Sequence, residues 1–204
     1  MVALIVLVAM TLAGIALIRS VDTTTLIAGN LGFQQSAMHS GDIGAESAIA
    51  WLQNNQNTTD ASGLPTLQAD HSPSGYISEG LGAGYNPGPS QTWDQYWTTV
   101  LDTSPVSTPV SSAVNSGSVW TLPTDPVTGN TISYVIHRLC QNAGDPTSPS
   151  TGCAVSQASV VSTGSSKGTG VIGLQYANQY YYRITTRITG PRSTVSYVQT
   201  IVAM

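Results

Sequence analysis

The first 18 residues carry no charge, and this constrains the fold more than any other feature of the chain. As a helix, the run MVALIVLVAMTLAGIALI would be about 27 Å long, close to the thickness of a bilayer hydrocarbon core. It is apolar on every side, which suits lipid or a fully buried helix bundle. We therefore expect residues 1–18 to lie in a membrane or in the core of a helical assembly. The residues expected to form the packing surface are Met1, Leu4, Ile5, Leu7, Val8, Leu12, Gly14, Ile15 and Ile18.

This run differs from a cleavable secretory signal at both ends. No Lys or Arg precedes it, and it is followed by Arg19-Ser20-Val21-Asp22 instead of a small-residue cleavage site. We therefore expect either that a basic segment has been removed upstream of Met1 or that the given sequence starts late.

The helical pattern continues beyond the apolar run. Residues 22–53 contain no proline, and apolar side chains recur at helical spacing, which predicts one continuous helix over residues 1–54. Its second half is amphipathic, with a predicted buried face of Ile27, Leu31, Met38, Ala45, Ile49 and Leu52. Four glycines interrupt this half: Gly29, Gly32, Gly41 and Gly44. They indicate either close helix packing, which we favour, or a helix able to stretch or melt locally inside an assembly.

The rest of the chain, residues 55–204, is predicted to be a β-rich globular head. Residues 55–130 are rich in Gly, Pro, Ser, Thr, Asn and Asp, a composition typical of turns and irregular loops. The sequence WDQYW at 93–97 predicts a short helical turn pinned to the core. Tryptophans 93, 97 and 120 are expected to anchor the core; the alternative is an aromatic shelf for carbohydrate.

Residues 131–204 show strand periodicity. Alternation predicts a strand from Thr131 and a hairpin of strands 179–189 and 193–204 about a Gly-Pro-Arg turn. The apolar face of this antiparallel sheet should pack on the amphipathic half of the helix. The predicted fold class is therefore α+β: a long N-terminal helix on an antiparallel β head.

The two cysteines, Cys140 and Cys153, predict one disulfide that closes an outward loop after the first strand. A loop of this length gives about 3 kcal/mol of stabilisation in the chain-entropy model. A zinc site would need more ligands than the nearby His137, so we expect no metal.

Charge and motif content exclude several classes of function. Charged residues make up 8% of the chain, with six basic and ten acidic residues, so no basic stripe exists for nucleic acid. Weak charge repulsion between copies also favours close association. The histidines His39, His71 and His137 lack any metal-ligand spacing, and no nucleophile elbow or haem motif occurs. We expect no enzymatic activity and no cofactor.

The chain resembles the PilX-type minor pilins of bacterial type IV pili at its two ends. Near the start, the resemblance lies in the apolar run, Arg19-Ser20, Ala28-Gly29-Asn30, Phe33, Gln35, Asp42, Gly44 and Glu46. Near the end, it lies in Arg138-Leu139-Cys140 with Cys153, Tyr182-Arg183-Ile184-Thr185, and Gly190-Pro191-Arg192 through Gln199. Roughly half of the chain is covered, and residues 55–130 contribute nothing to the likeness.

This resemblance implies a pilin fold and a pilin life cycle. A prepilin peptidase would remove a basic leader, and the new N-terminus, here Met1, would be methylated. The chain would wait in the inner membrane, and the type IV pilus assembly machinery would add it to an extracellular pilus containing copies of itself or other pilins. Members of the family are linked to pilus assembly, adhesion, aggregation and twitching motility.

One departure from the family concerns charge in the helix. Most pilins carry a glutamate at the fifth mature position and often a proline near the twenty-second, where this chain has Ile5 and Asp22. No acidic residue precedes Asp22, so a shifted start does not restore the glutamate. The main competing interpretation is a single-pass membrane adhesin whose head binds a surface or carbohydrate ligand.

Overall fold

A computed structural model of the chain describes residues 2–71, 74–82, 84–102, 119–157, 178–191 and 194–204. The long N-terminal helix predicted from the sequence is confirmed: α1 spans Val2–Asn55. It is followed by a 3₁₀ turn at Thr66–Gln68, strand β1 at Tyr76–Ile77 and the short helix α2 at Trp93–Tyr96. A π-helical turn, Trp97–Leu101, continues α2.

The remaining strands build the sheet. They are β2 (Trp120–Thr121), β3 (Thr131–Arg138), β4 (Val155–Gln157), β5 (Asn178–Gly190) and β6 (Thr194–Ala203). The order is β1-β3-β5-β4, with β2 also on β3 and β6 on β5. The predicted hairpin is present as β5 and β6, which pair from Tyr181↔Ala203 to Gly190↔Thr194. Part of its turn, residues 192–193, lies outside the described residues.

The prediction of a purely antiparallel sheet is wrong, because β1 pairs with β3 in parallel through Tyr76↔Ile136 and Ile77↔His137. Long chain segments separate β1 from β3, which leaves room for the crossover that a parallel pair requires. The other described pairings are antiparallel. The sheet is therefore mixed, within an α+β architecture.

The sheet is covered on both faces. On one face, α1 packs against β3, β5 and β6, and the core there consists of Ala48, Leu52, Tyr76, Tyr134, Ile136, Tyr182 and Ile184. The other face is covered by the segment around α2, with a core of Ile77, Tyr85, Tyr96, Trp97, Leu101 and Val135. Strand β3 is buried on both faces as a result, which explains why its polar alternation is weak.

The docked part of α1 is shorter than the sequence predicts. Of the predicted buried face, Ala45 and Leu52 are buried, but Ile27, Leu31 and Met38 are exposed by 63%, 56% and 61%. The helix leaves the sheet N-terminal to Ser36, so apolar residues upstream of that point have no sheet beneath them. The docked face is instead made of small residues, starting at Ser40 and Gly41.

Two of the four glycines explain how α1 approaches the sheet. A Cβ on Gly44 would lie 2.5 Å from Thr186 Cγ2 and 2.8 Å from Ile132 Cγ2, and one on Gly41 would lie 2.6 Å from Val198 Cγ2. A polar anchor adds to this contact, since the side-chain amide of Asn130 donates to Ser40 Oγ at 2.9 Å. The close-packing explanation therefore holds for Gly41 and Gly44. At Gly29 and Gly32 the structure shows open space.

This difference predicts opposite effects for one substitution at two glycines of the same helix. Gly44→Ala should lower the free energy of unfolding of the head by about 1–3 kcal/mol, because the added methyl group forces α1 off the sheet. Gly32→Ala should instead stabilise the helix by roughly 0.5–1 kcal/mol, since its methyl group meets no atoms. Chemical unfolding of the full chain in detergent micelles, followed by tryptophan fluorescence, measures both. Equal effects at the two positions would contradict the packing described.

Candidate functional site

The largest candidate interaction surface is the N-terminal part of α1. Every residue from 2 to 35 is exposed, which corresponds to about 50 Å of helix outside the head. Within it lie the predicted packing residues, exposed by 45% to 68%: Leu4, Ile5, Leu7, Val8, Leu12, Ile15 and Ile18. A Cβ added to Gly14 would lie more than 4 Å from every described atom outside the neighbouring backbone of its own helix. Met1, the predicted processed N-terminus, lies outside the described residues.

We call this exposed part of α1, residues 2–35, the stem. It contains a stretch apolar enough to cross a membrane. An 18-residue window of α1 has a mean hydropathy of 2.5, and none of it is buried within the chain. By length and composition, α1 fits a membrane span, and a signal sequence near an N-terminus has the same properties. An exposed apolar surface of this size requires lipid or protein to cover it.

Four threonines of the stem donate their hydroxyl groups to backbone carbonyl oxygens of the same helix. Thr23, Thr24 and Thr25 each donate to the carbonyl oxygen four residues earlier, at 2.8–2.9 Å, and Thr11 donates to Val8 O at 2.9 Å. A hydroxyl that is satisfied by its own helix loses little when it leaves water. The threonines are therefore compatible with an apolar environment, and Arg19 and Asp22 are the first charges along the stem.

The disulfide predicted between Cys140 and Cys153 is present, with an S–S distance of 2.02 Å. It closes the loop that follows β3, and the backbone ties this loop to its surroundings. Gln141 N donates to Thr151 O at 3.0 Å, and Gly144 N donates to Gln68 O at 2.9 Å. Backbone hydrogen bonds thus join the two ends of the loop to each other and the loop to the 3₁₀ turn at Thr66–Gln68.

Arg138, the last residue of β3, is fully buried, and no carboxylate in the described part of the chain lies within salt-bridge distance of it. Its guanidinium donates to three carbonyl oxygens: Nε to Ser78 O at 2.9 Å, Nη1 to Leu67 O at 2.7 Å, and Nη2 to Gly144 O at 2.9 Å. Three separate chain segments are held by this one side chain. The sequence contained a signal for it, because the alternation of β3 places Arg138 on the same face as Ile132, Tyr134 and Ile136, where a cation needs buried acceptors.

His137 is buried on the opposite face of the sheet. Among the residues that the structure describes, neither of its ring nitrogens finds a hydrogen-bond partner, and its ring lies edge-on to that of Tyr85 at 5.9 Å. Burial, with a smaller contribution from the charge of Arg183, lowers the pKa of His137 from 6.5 to about 3. The imidazole is therefore neutral in the folded head at any ordinary pH.

The three histidines are not brought together. His39 is exposed on α1, His71 packs its ring 6.2 Å from that of Trp51, and His137 lies in the core. Among the described residues, no group of three or more His, Cys, Asp or Glu side chains is placed to hold a metal ion.

An ionic contact fastens α2 to the sheet. Arg187 Nη2 lies 3.1 Å from Asp94 Oδ1, and the Tyr197 hydroxyl donates to the same oxygen at 2.9 Å. The hydrogen bonds from Tyr197 and Arg187 lower the pKa of the Asp94 carboxyl. Burial, together with Asp94, raises the pKa of Tyr197 to about 12. These groups support the layer rather than forming a reactive site.

The tryptophans do not form a shared shelf. Trp97 is fully buried, and Trp93 packs against Tyr96 and Tyr197, so both anchor the second face of the sheet as predicted. Trp120 is 44% exposed, and the prediction that it anchors the core is wrong. It lies in β2, a strand of only two residues at the edge of β3.

Comparison with known proteins returned no relatives. No protein-family model, no curated protein and no solved structure matches this chain.

Proposed function

We propose that the chain is a structural subunit of an extracellular filament of the type IV pilus kind, polymerising through the apolar part of α1. One observation carries the proposal. The same helix is docked on a sheet by its last turns and exposed, apolar and nearly uncharged over residues 2–35. The C-terminal part of such a helix holds the folded head, and its exposed apolar N-terminal part needs lipid or other protein chains to cover it. The resemblance to PilX-type pilins at both ends of the chain adds to this argument.

The energetics allow one helix to serve in a membrane and in a filament. Covering the apolar stem removes the same surface from water in either case, at about 25 cal/mol per Å², or tens of kcal/mol in gross terms. Lipid and a bundle of helices are nearly equal solvents for such a surface. A subunit stored in the inner membrane is therefore transferable to a filament at modest cost. Processing by a prepilin peptidase, methylation of Met1, and roles in adhesion, aggregation or twitching motility belong to the same proposal.

Residues 1–21 contain no carboxylate side chain, and this bears on how subunits would align in a filament. In pilins that have one, a buried glutamate is able to pair with the α-amino group of a neighbour, which acts on register more than on net stability. With Ile5 in that place, axial register in a homopolymer comes from side-chain packing. The small residues Ala3, Ala9, Ala13 and Gly14 permit close approach of neighbouring helices.

The proposal predicts that a charge in the stem impairs assembly. Ile5→Glu should reduce the yield of sheared surface filaments by at least about tenfold, because an unpaired carboxylate would enter an apolar core at a cost of several kcal/mol. Val127→Glu is the matched control, since Val127 is 90% exposed on the head. It should leave the yield unchanged. Electron microscopy with antibody against the head counts the filaments.

Two results would count against the proposal. Recovery of the protein only as a detergent-soluble monomer from membranes, with no filament carrying it, favours the membrane-anchored adhesin. Filaments formed normally by Ile5→Glu would show a polar niche at this position and remove the packing account.

A further inference from the structure

We propose that the pole of the head farthest from the apolar stem carries a saccharide-binding pocket for a neutral or amino sugar. The cavity has a volume of about 340 Å³. The residues on which the argument rests are Asn57, Gln68, Asp145, Asn178, Tyr180 and Tyr182. We call this cavity the distal pocket. The inference concerns the head alone, so it holds whether or not the chain polymerises.

The distal pocket exists because β5 is longer than the helix that covers it. Asn178, Tyr180 and Tyr182 alternate along β5 and so share the face of Ile184, which α1 covers near Leu52. Helix α1 ends at Asn55, and β5 continues past that end. Tyr180 therefore meets the pocket instead of a helix. Tyr182 is buried beside Leu52 in the core and also lines the pocket, together with Asn57 and Asp145.

The walls of the distal pocket are fixed by buried groups. Arg138 donates to Leu67 O in the 3₁₀ turn and to Gly144 O in the disulfide loop, which carry two of the walls. The Tyr76 hydroxyl also donates to Leu67 O, at 2.7 Å, and Gly144 N donates to Gln68 O. The Cys140–Cys153 disulfide closes the loop behind Asp145. A site held in this way loses little freedom when a ligand binds.

Most polar side chains of the pocket have no hydrogen-bond partner among the residues that the structure describes. Within the described part of the chain, the side chains of Asn57, Gln68 and Asn178 make no hydrogen bond, and the same holds for the hydroxyls of Tyr180 and Tyr182. Asp145 uses Oδ1 for Thr147, at 2.7–2.8 Å, and its Oδ2 has no such contact. These groups are available to a ligand.

This combination of groups matches a sugar. Carboxamides and hydroxyls both donate and accept, as sugar hydroxyls do, and the half-buried ring of Tyr180 offers an apolar surface for the C–H face of a pyranose. The volume lies at the lower end of the roughly 300–1,000 Å³ of small-molecule pockets, which suits a mono- or disaccharide. Asp145 is the one charged side chain among the lining residues, so it disfavours acidic sugars and favours neutral or amino sugars.

A glycan array probed with the full chain tests this inference. The protein is kept in an amine-oxide detergent, because detergents with sugar headgroups would compete for the pocket. We expect retention on neutral or amino-sugar glycans. Tyr180→Ala should weaken this binding by about tenfold, and Tyr181→Ala, which alters the neighbouring residue on the other face of β5, should leave it unchanged.

A second pair of variants tests the pocket at an exposed residue, where truncation should not disturb folding. Asn178→Ala deletes an exposed carboxamide and should also weaken binding about tenfold, whereas the adjacent Gln179→Ala should not. For an amino sugar, Asp145→Asn should reduce affinity and leave neutral glycans unaffected. The inference is overturned if no glycan is retained, if acidic glycans are preferred, or if the paired variants behave alike. Loss of filaments in Ile5→Glu tests a different part of the molecule, so the two proposals fail separately.

Discussion

Arg138→Met should lower the free energy of unfolding of the head by about 3 kcal/mol. Methionine fills much of the same volume. Among the described residues, it leaves the buried Ser78 O and the partly buried Gly144 O without a donor, and Leu67 O with only the Tyr76 hydroxyl. Each unsatisfied buried acceptor costs about 1–3 kcal/mol, and release of the buried guanidinium from its desolvation offsets part of the sum. Denaturant unfolding of the full chain in micelles, followed by near-UV circular dichroism, measures the change.

Two other arginine variants sharpen this prediction. Arg138→Lys keeps the charge but lacks the planar fork that reaches three acceptors, so it should also destabilise the head, by about 2 kcal/mol. Arg187→Met removes an arginine from the opposite face, where its partner Asp94 is half exposed, and should cost no more than about 1 kcal/mol. If Arg138→Met and Arg187→Met shift the unfolding midpoint equally, Arg138 does not hold the segments together as described.

His137→Leu should remove much of the acid sensitivity of the head. The pKa of His137 is about 3 in the fold and 6.5 as a free side chain, so between these values the unfolded chain binds a proton that the folded chain does not. Stability is therefore full above pH 6.5 and falls as the pH drops toward 3. The slope is about 1.4 kcal/mol per pH unit, or roughly 3 kcal/mol by pH 4.

The leucine variant should show a nearly flat stability profile over the upper part of this window. At neutral pH it should be as stable as the parent or more stable by about 1 kcal/mol, because two unpaired ring nitrogens are removed from the core. His39→Gln changes an exposed histidine of α1 and serves as the control. Urea unfolding at pH 7.5, 6, 5 and 4 provides the profile. A parental slope that persists in His137→Leu would exclude this histidine as the source.

The features that sequence reasoning found are those with a long periodic pattern or a covalent link. Helix α1, strands β3, β5 and β6, and the Cys140–Cys153 disulfide all belong to this group. Strands β1, β2 and β4 have only two or three residues, and alternation cannot be recognised over so short a run. The parallel pairing of β1 with β3 depends on contacts between residues some 60 positions apart, which periodicity does not encode.

The errors in the buried faces have a common cause. Periodicity shows which side of a helix is apolar, and it does not show where the partner sheet begins. It therefore predicts a buried Met38, although the buried part of α1 starts at Ser40. The distal pocket depends on the difference in length between α1 and β5, two elements far apart in the chain. Alternation along β3, in contrast, places Arg138 and His137 on opposite faces of the sheet. Both faces are covered, so both side chains are buried.

The way α1 lies on the sheet has a mechanical consequence. Any tension applied to the apolar stem acts along the helix axis, parallel to the plane of contact, so the joint between stem and head is loaded in shear. The side chains of Val198, Thr186 and Ile132 pack where Gly41 and Gly44 lack a Cβ. All of these contacts would have to break at the same time for the helix to slide along the sheet. A force that lifted the helix away from the sheet would instead separate these contacts one after another. The head is thus attached most firmly in the direction from which its stem would pull.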